Sequence, residues 1–177
     1  ADADNSRTKA ERQRELFAKT GLDTQAFQDL SRSFSLEFRA PEFMAWRGRM
    51  AQLISRVEEA RLNFITAVSQ DPDNAEYYAY FGEFHRSLGE YPSAQKQLNQ
   101  AIRLDPKLFE AYHIRGLINH DLGKFQEAIR DFDHAIGLDP DRAVVYPSRA
   151  KTYLQLGQIE GAFQDLDRAI ALDPRLA

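Results

Sequence analysis

The apolar pattern is clearest between Phe109 and Arg142, FEAYHIRGLINHDLGKFQEAIRDFDHAIGLDPDR. Ala128, Phe132 and Ala135 fall at i, i+4 and i+7, which places them on one stripe of a helix. Upstream, Tyr112 and Gly116 stand four residues apart on a second helix. Glycine in a helix interior costs about 1 kcal/mol relative to alanine, so Gly116 predicts a close crossing that offsets it. The small Ala128 and Ala135 let that crossing tighten. Leu122-Gly123 predicts the stop between the helices, since glycine enters the left-handed conformation of a C-terminal cap without steric penalty. Asp139-Pro140 closes the unit, because proline cannot continue a helix.

Shifting the frame by 34 residues in either direction lands on similar text. Asp-Pro recurs at Asp71-Pro72, Asp105-Pro106, Asp139-Pro140 and Asp173-Pro174. The crossing position holds Gly48, Gly82, Gly116 and Ala150. The facing stripe is Ala60, Phe64, Ala67, then Ala94, Leu98, Ala101, then Ala128, Phe132, Ala135, then Ala162, Leu166, Ala169. The frame predicts helices near 42–55 and 57–69, 76–88 and 92–104, 110–122 and 126–138, and 144–156 and 160–172. Pro92 falls in a first helical turn, where its missing N–H is harmless. Ser55 occupies the first stop in place of glycine and predicts a less sharply specified turn; Pro147 predicts a shortened or displaced helix start.

An aromatic, a small residue four positions on, then A-x3-F/L-x2-A and a closing proline, in this frame from Pro41 to Leu176, resembles the tetratricopeptide repeat. The resemblance implies an all-α fold, a right-handed superhelical α-solenoid of antiparallel helix pairs, with repeats over 41–74, 75–108, 109–142 and 143–177. It further implies a non-catalytic protein–protein interaction scaffold that holds a peptide or protein segment in a concave groove lined by the first helix of each repeat. On that expectation Trp46, Arg49 and Gln52 face the ligand from the first repeat, and Ala79, Tyr80, Glu83 and Arg86 from the second. His113, Leu117 and His120 follow from the third, and Lys151 from the fourth. Trp46, Tyr80 and Arg49 are the expected carriers of binding energy, aromatic and arginine side chains being the usual ones; the competing reading packs Trp46 and Tyr80 between repeats. Some members of the family grip a C-terminal carboxylate with a lysine, asparagine and arginine set. The equivalent positions here carry Ala45, Arg49, Tyr80, Glu110, Val144 or Ser148, so that set is absent.

Residues 1–8 lack apolar periodicity and are expected to be loose. Residues 9–40 read as an N-terminal helical hairpin, either a degenerate repeat or a cap: Gly21, Ala26 and Leu30 keep the frame, whereas Arg14 and Phe38 depart from it. At the other end Tyr153, Leu156 and Ile159 have no following repeat to cover them. The expectation is a piece of a longer protein, or a final hairpin covered by a partner or by a second copy. Ala1-Asp2-Ala3 fits the trimmed end of an exported, periplasmic chain as well as residues left by expression of a cytoplasmic one, which leaves the compartment open.

Charge and chemistry narrow the functional classes. A net charge of −4 without a basic block disfavours nucleic acid and anionic membrane as partners, and no apolar run reaches the roughly 18 residues that span a bilayer. With no cysteine there is neither a disulfide nor a thiolate metal site. His113 and His120 share a helix face, but two turns separate them by roughly 10 Å, too far to chelate one ion unaided. No phosphate-binding glycine loop, H-E-x-x-H or G-x-S-x-G occurs, so no catalytic residue, metal or cofactor is expected. The functional alternatives are an adaptor domain of a larger enzyme or complex, and self-assembly through the last repeat. Asp131, Asp133, Glu58 and Glu59 read as solvated faces or ion pairs. Arg115 with Asp131, and Arg149 with Asp165, stand 16 residues apart and are expected to bridge the two helices of a repeat, whereas Phe81 meets Gln97 at the corresponding places.

Overall fold

The computed structural model describes residues 41–53 and 55–176, which form eight α-helices and one short 3-10 turn with no strand among them. The segments expected as a loose tail (1–8) and an N-terminal hairpin (9–40) lie outside the described residues. The chain divides into two compact units, Ala1–Asp71 and Pro72–Ala177.

In the first unit, α1 (Pro41–Leu53) packs antiparallel on α2 (Val57–Gln70). Ala45, Ala51, Ala60, Phe64 and Ala67 are buried between them. A Cβ on Gly48 would stand 2.9 Å from Phe64 Cε1, so the helices meet where only a hydrogen fits. Arg47 and Arg56 both reach Glu59, at 3.5 and 3.1 Å.

The second unit holds three hairpins: α3 (Ala75–Ser87) with α4 (Tyr91–Leu104), α5 (Phe109–Asp121) with α6 (Phe125–Leu138), and α7 (Val145–Gln155) with α8 (Ile159–Leu172). Successive hairpins share their cores. Leu98 and Ala101 of α4 cluster with Leu108, Ala111 and Ile114 at the start of the next hairpin. Phe132 and Ala135 of α6 cluster with Val145 and Tyr146. The crossing repeats here: a Cβ on Gly82 would lie 2.7 Å from Leu98 Cγ, and one on Gly116 2.5 Å from Phe132 Cε1.

The four turns between paired helices are built alike. Gly89, Gly123 and Gly157 have φ of 73°, 72° and 71°, and each following N–H reaches back five residues, as in Glu90 to His85 at 2.9 Å and Lys124 to Asn119 at 2.8 Å. Ser55 corrects the sequence expectation. Its φ is 59°, and Arg56 N–H donates to the Ala51 carbonyl at 2.8 Å, so the turn is as sharply specified as its glycine counterparts. The two helices it joins fix the path, and serine accepts a conformation unfavourable to a side chain. At the closing Asp-Pro, the aspartate carboxylate accepts the N–H two residues on, as with Asp105 and Lys107 at 2.8 Å, a turn that competes with helix continuation. α7 has 11 residues where α3 and α5 have 13, the shortening expected from Pro147.

Candidate functional site

Within Pro72–Ala177 the first helices touch in succession, α3 with α5 and α5 with α7, whereas the second helices α4, α6 and α8 do not meet one another. The first helices therefore form the inner wall of this unit. Their mutual contacts are polar as well as apolar. His113 Nε2 lies 3.3 Å from Ser148 Oγ, and His120 Nδ1 lies 2.9 Å from Thr152 Oγ1. Both hydroxyls donate to backbone carbonyls, of Val144 and Ser148, so each histidine donates a ring N–H to its hydroxyl. Burial pushes the His113 imidazole down to about 4, against a partly opposing pull from Glu83. Burial, followed by the positive charge of Lys151, lowers His120.

The wall's arginines are engaged. Arg86 binds Glu83 in a two-point contact at 2.8 and 2.8 Å and reaches Asp121 of α5 at 3.5 Å; the Glu83 hydrogen bond raises its pKa. Arg142, in the turn before α7, donates to Glu110 at 2.5 Å and lies 4.6 Å from the centroid of the Phe109 ring. Lys151 is exposed and forms no ion pair among the described residues.

Tyr80, Glu83, Arg86, His113, Leu117 and His120 are all half-buried on these first helices. The Tyr80 hydroxyl donates to Glu76 at 3.4 Å, and Leu117 rests partly against the core around Phe132. Ala79 requires correction. It is 0% exposed, packed with Leu98, Ala101 and Ala111, and cannot meet a ligand. Ile114 of α5 and, in the first unit, Ala45 of α1 are buried as well. A first helix packs against its partner and against neighbouring hairpins, which leaves a narrower open strip than helical periodicity suggests. Trp46, Arg49 and Gln52 belong to the first unit, where Trp46 and Arg49 are exposed and Gln52 is half-buried.

The two expected Arg–Asp bridges are present. Arg115 Nε and Nη2 donate to Asp131 at 3.0 and 2.6 Å; Arg149 Nε and Nη2 donate to Asp165 at 2.8 and 2.6 Å. Asp131 is buried rather than solvated, and Asn119 gives it a further hydrogen bond at 2.9 Å. Each arginine also has a second partner that sequence reading missed: Nη1 of Arg115 reaches Asn99 at 3.0 Å, and Nη1 of Arg149 reaches Asp133 at 2.5 Å. Both acceptors stand 16 residues before their arginine, so the frame held the signal. Thr152 and Asp121 were missed for a different reason. They lie 32 and 35 residues from His120 and Arg86, off the 34-residue spacing by the offset between facing helices.

No group of three or more His, Cys, Asp or Glu side chains among the described residues is placed to hold a metal ion. None of their helices is long and apolar enough to cross a membrane.

Paired helices stacked in succession, each pair joined by a left-handed turn and crossing at Gly82, Gly116 or Ala150, define a helical-repeat solenoid within Pro72–Ala177. The chain belongs to the tetratricopeptide-repeat family: a TPR repeat profile matches residues 82–123 and a tetratricopeptide repeat profile matches residues 109–142 and 145–176, together more than half of the chain. No curated protein sequence matches it. Among solved structures, the fold is similar to that of TTC0263, a thermophilic TPR protein of Thermus thermophilus, with a TM-score of 0.78 and 23% identity over 93% of this chain and 90% of that one. MamA aligns with a TM-score of 0.66 and 21% identity over 85% of this chain and 86% of its own. YrrB, a TPR protein with an unusual peptide-binding site, aligns with a TM-score of 0.61 and 23% identity over 90% and 82%.

Proposed function

We propose that this chain is a non-catalytic binding scaffold, with repeats over 41–74, 75–108, 109–142 and 143–177, that holds a peptide or protein segment against the wall of first helices. One observation carries this reading. The first helices of the second unit keep a strip of half-buried and exposed side chains (Tyr80, Glu83, His120 and Lys151) that the cores between hairpins do not use, with Leu117 beside them only partly taken up by the core around Phe132. Aromatic and apolar groups beside fixed charges suit a peptide, whose backbone needs hydrogen bonds and whose side chains need shallow apolar seats. The proposed surface in the first unit is Trp46, Arg49 and Gln52.

The test is affinity capture from a lysate by the full chain and by a variant carrying Arg49→Ala, Tyr80→Ala and Leu117→Ala, with circular dichroism on both. Loss of the same bound proteins at unchanged helicity supports the wall; identical capture moves the site elsewhere. An adaptor within a larger enzyme or complex would use the same wall, with catalysis supplied by another domain. Self-assembly would instead leave the wall free and give a mass that rises with concentration in light scattering.

A further inference from the structure

We propose that the outward face of α4, with the turn that follows it, docks an acidic segment of a partner protein. The 34-residue frame sets this helix apart from its counterparts. Ser93, Gln97 and Asn99 stand where α6 carries Glu127, Asp131 and Asp133, and Lys107 stands where the turns after α2 and α6 carry Asp73 and Asp141. Among the second helices α2, α4, α6 and α8, α4 alone holds cations and no acid. In a chain of net charge −4 that is a local reversal of sign.

The cations of this face are open. Lys96, Arg103 and Lys107 are all exposed and form no ion pair among the described residues. Arg103 donates to the side-chain oxygen of Gln100 at 3.1 Å, a neutral partner that orients the guanidinium without cancelling its charge. The acids at the two ends of α4 are engaged elsewhere: Glu90 lies 2.6 Å from His85 Nδ1, and Asp105 accepts the backbone N–H of Lys107 at 2.8 Å. Exposed cations with no acid beside them give a positive potential complementary to an acidic partner. Their spacing selects the form of that partner. Lys96 and Arg103 lie on one side of α4, two turns and roughly 10 Å apart. Carboxylates at every third residue of an extended polypeptide recur at a matching distance, since such a chain advances roughly 3.3 Å per residue. Nucleic acid fits less well, because its phosphates are far more closely spaced and the rest of the chain is acidic. The surface belongs to a second helix and is independent of the wall of first helices.

The probe is a synthetic glycine-serine peptide with aspartate at every third position, titrated into the isotopically labelled full chain and followed by NMR. The expected result is a set of saturable amide shifts clustered between Tyr91 and Lys107 that fades as salt rises. Lys96→Glu with Arg103→Glu should weaken binding at least about tenfold, whereas Lys96→Arg should leave it within about twofold. Lys96→Gln with Arg103→Gln keeps the falsification open if the charge reversal disturbs folding, and should weaken binding about fivefold at unchanged circular dichroism. Lys151→Glu, on the wall, should have no effect. Absence of saturable shifts, shifts centred on the first helices, loss with Lys151→Glu, or affinity indifferent to neutralising Lys96 and Arg103 overturns the proposal. Tighter binding at the same residues by a single-stranded oligonucleotide or by phosphatidylserine vesicles overturns the acidic polypeptide as occupant.

Discussion

The hairpin of α3 and α4 and the hairpin of α7 and α8 share a backbone plan but differ in what joins their helices. In the first, Phe81 lies 4.4 Å from the His85 ring, His85 Nδ1 lies 2.6 Å from Glu90, and the position opposite Phe81 holds Gln97. In the second, Arg149 takes the place of Phe81 and Asp165 that of Gln97, joined by two hydrogen bonds and extended to Asp133 of the preceding hairpin. The contrast teaches that the frame prescribes helix separation rather than chemistry. A ring or a guanidinium of similar reach can fill the same gap. The ionic version has a further consequence, because it ties three helices, α6, α7 and α8.

The ionic version is also the more vulnerable. Arg149→Ala strands a carboxylate that is 4% exposed and should lower the unfolding free energy by about 3–4 kcal/mol in urea titration. Arg115→Ala should lower it by only about 2 kcal/mol, since Asn119 continues to donate to Asp131. Copying the aromatic hairpin with Arg149→Phe and Asp165→Gln together should recover most of the loss, leaving about 1 kcal/mol. A double variant as unstable as Arg149→Ala would break the equivalence of the two hairpins.

The third hairpin places His113 where the second has the buried Ala79. His113 falls from its ordinary 6.5 to about 4 on folding, chiefly through burial, so between these values the unfolded chain binds the extra proton. Its contribution is fully present above 6.5 and is lost as the pH drops toward 4, by roughly 3 kcal/mol in all. The stability difference between the natural chain and His113→Gln should therefore change with pH across this window. A constant difference would mean that the imidazole is open to water.

Crossings offer a smaller effect. Gly116→Ala drives a Cβ against the rigid Phe132 ring and should cost about 2 kcal/mol, whereas Gly82→Ala meets Leu98, which can rotate, and should cost about 1 kcal/mol. Equal values would mean that backbone shift, not side-chain yield, sets the tolerance. Ser55→Gly should raise the thermal midpoint slightly, by up to about 1 kcal/mol in stability, because it relieves a left-handed serine that the other three turns avoid. No gain would mean that the local contacts of Ser55 already offset the strain.

Helix pairs, turns and crossings were legible in the chain because each depends on one residue type at a fixed distance: Gly116 opposite Phe132, Gly123 at the stop, Asp139 at the close. The wall was legible only in outline. Ala79 carries the spacing of an outward residue yet is enclosed by Leu98 and Ala111, one from its own hairpin and one from the next. Asp131 carries the look of a surface acid yet is buried beneath Arg115. For Ala79 the deciding neighbour comes from the next hairpin; for Asp131 the pairing with Arg115 was legible and the burial was not.

By itself, then, the order of residues settled the repeat length, the three left-handed glycine turns and the positions where helices must approach closely, since these follow from steric limits acting within some thirty residues. Which side chains of that repeat stay open was decided only when hairpins stacked. Stacking buries Leu98 and Phe132 while Leu166 stays 38% exposed, and it hands Asp133 an arginine, whereas Asp167 has none among the described residues. Identical positions thereby acquire different roles, because solvent exposure belongs to the assembled neighbours and not to the residue.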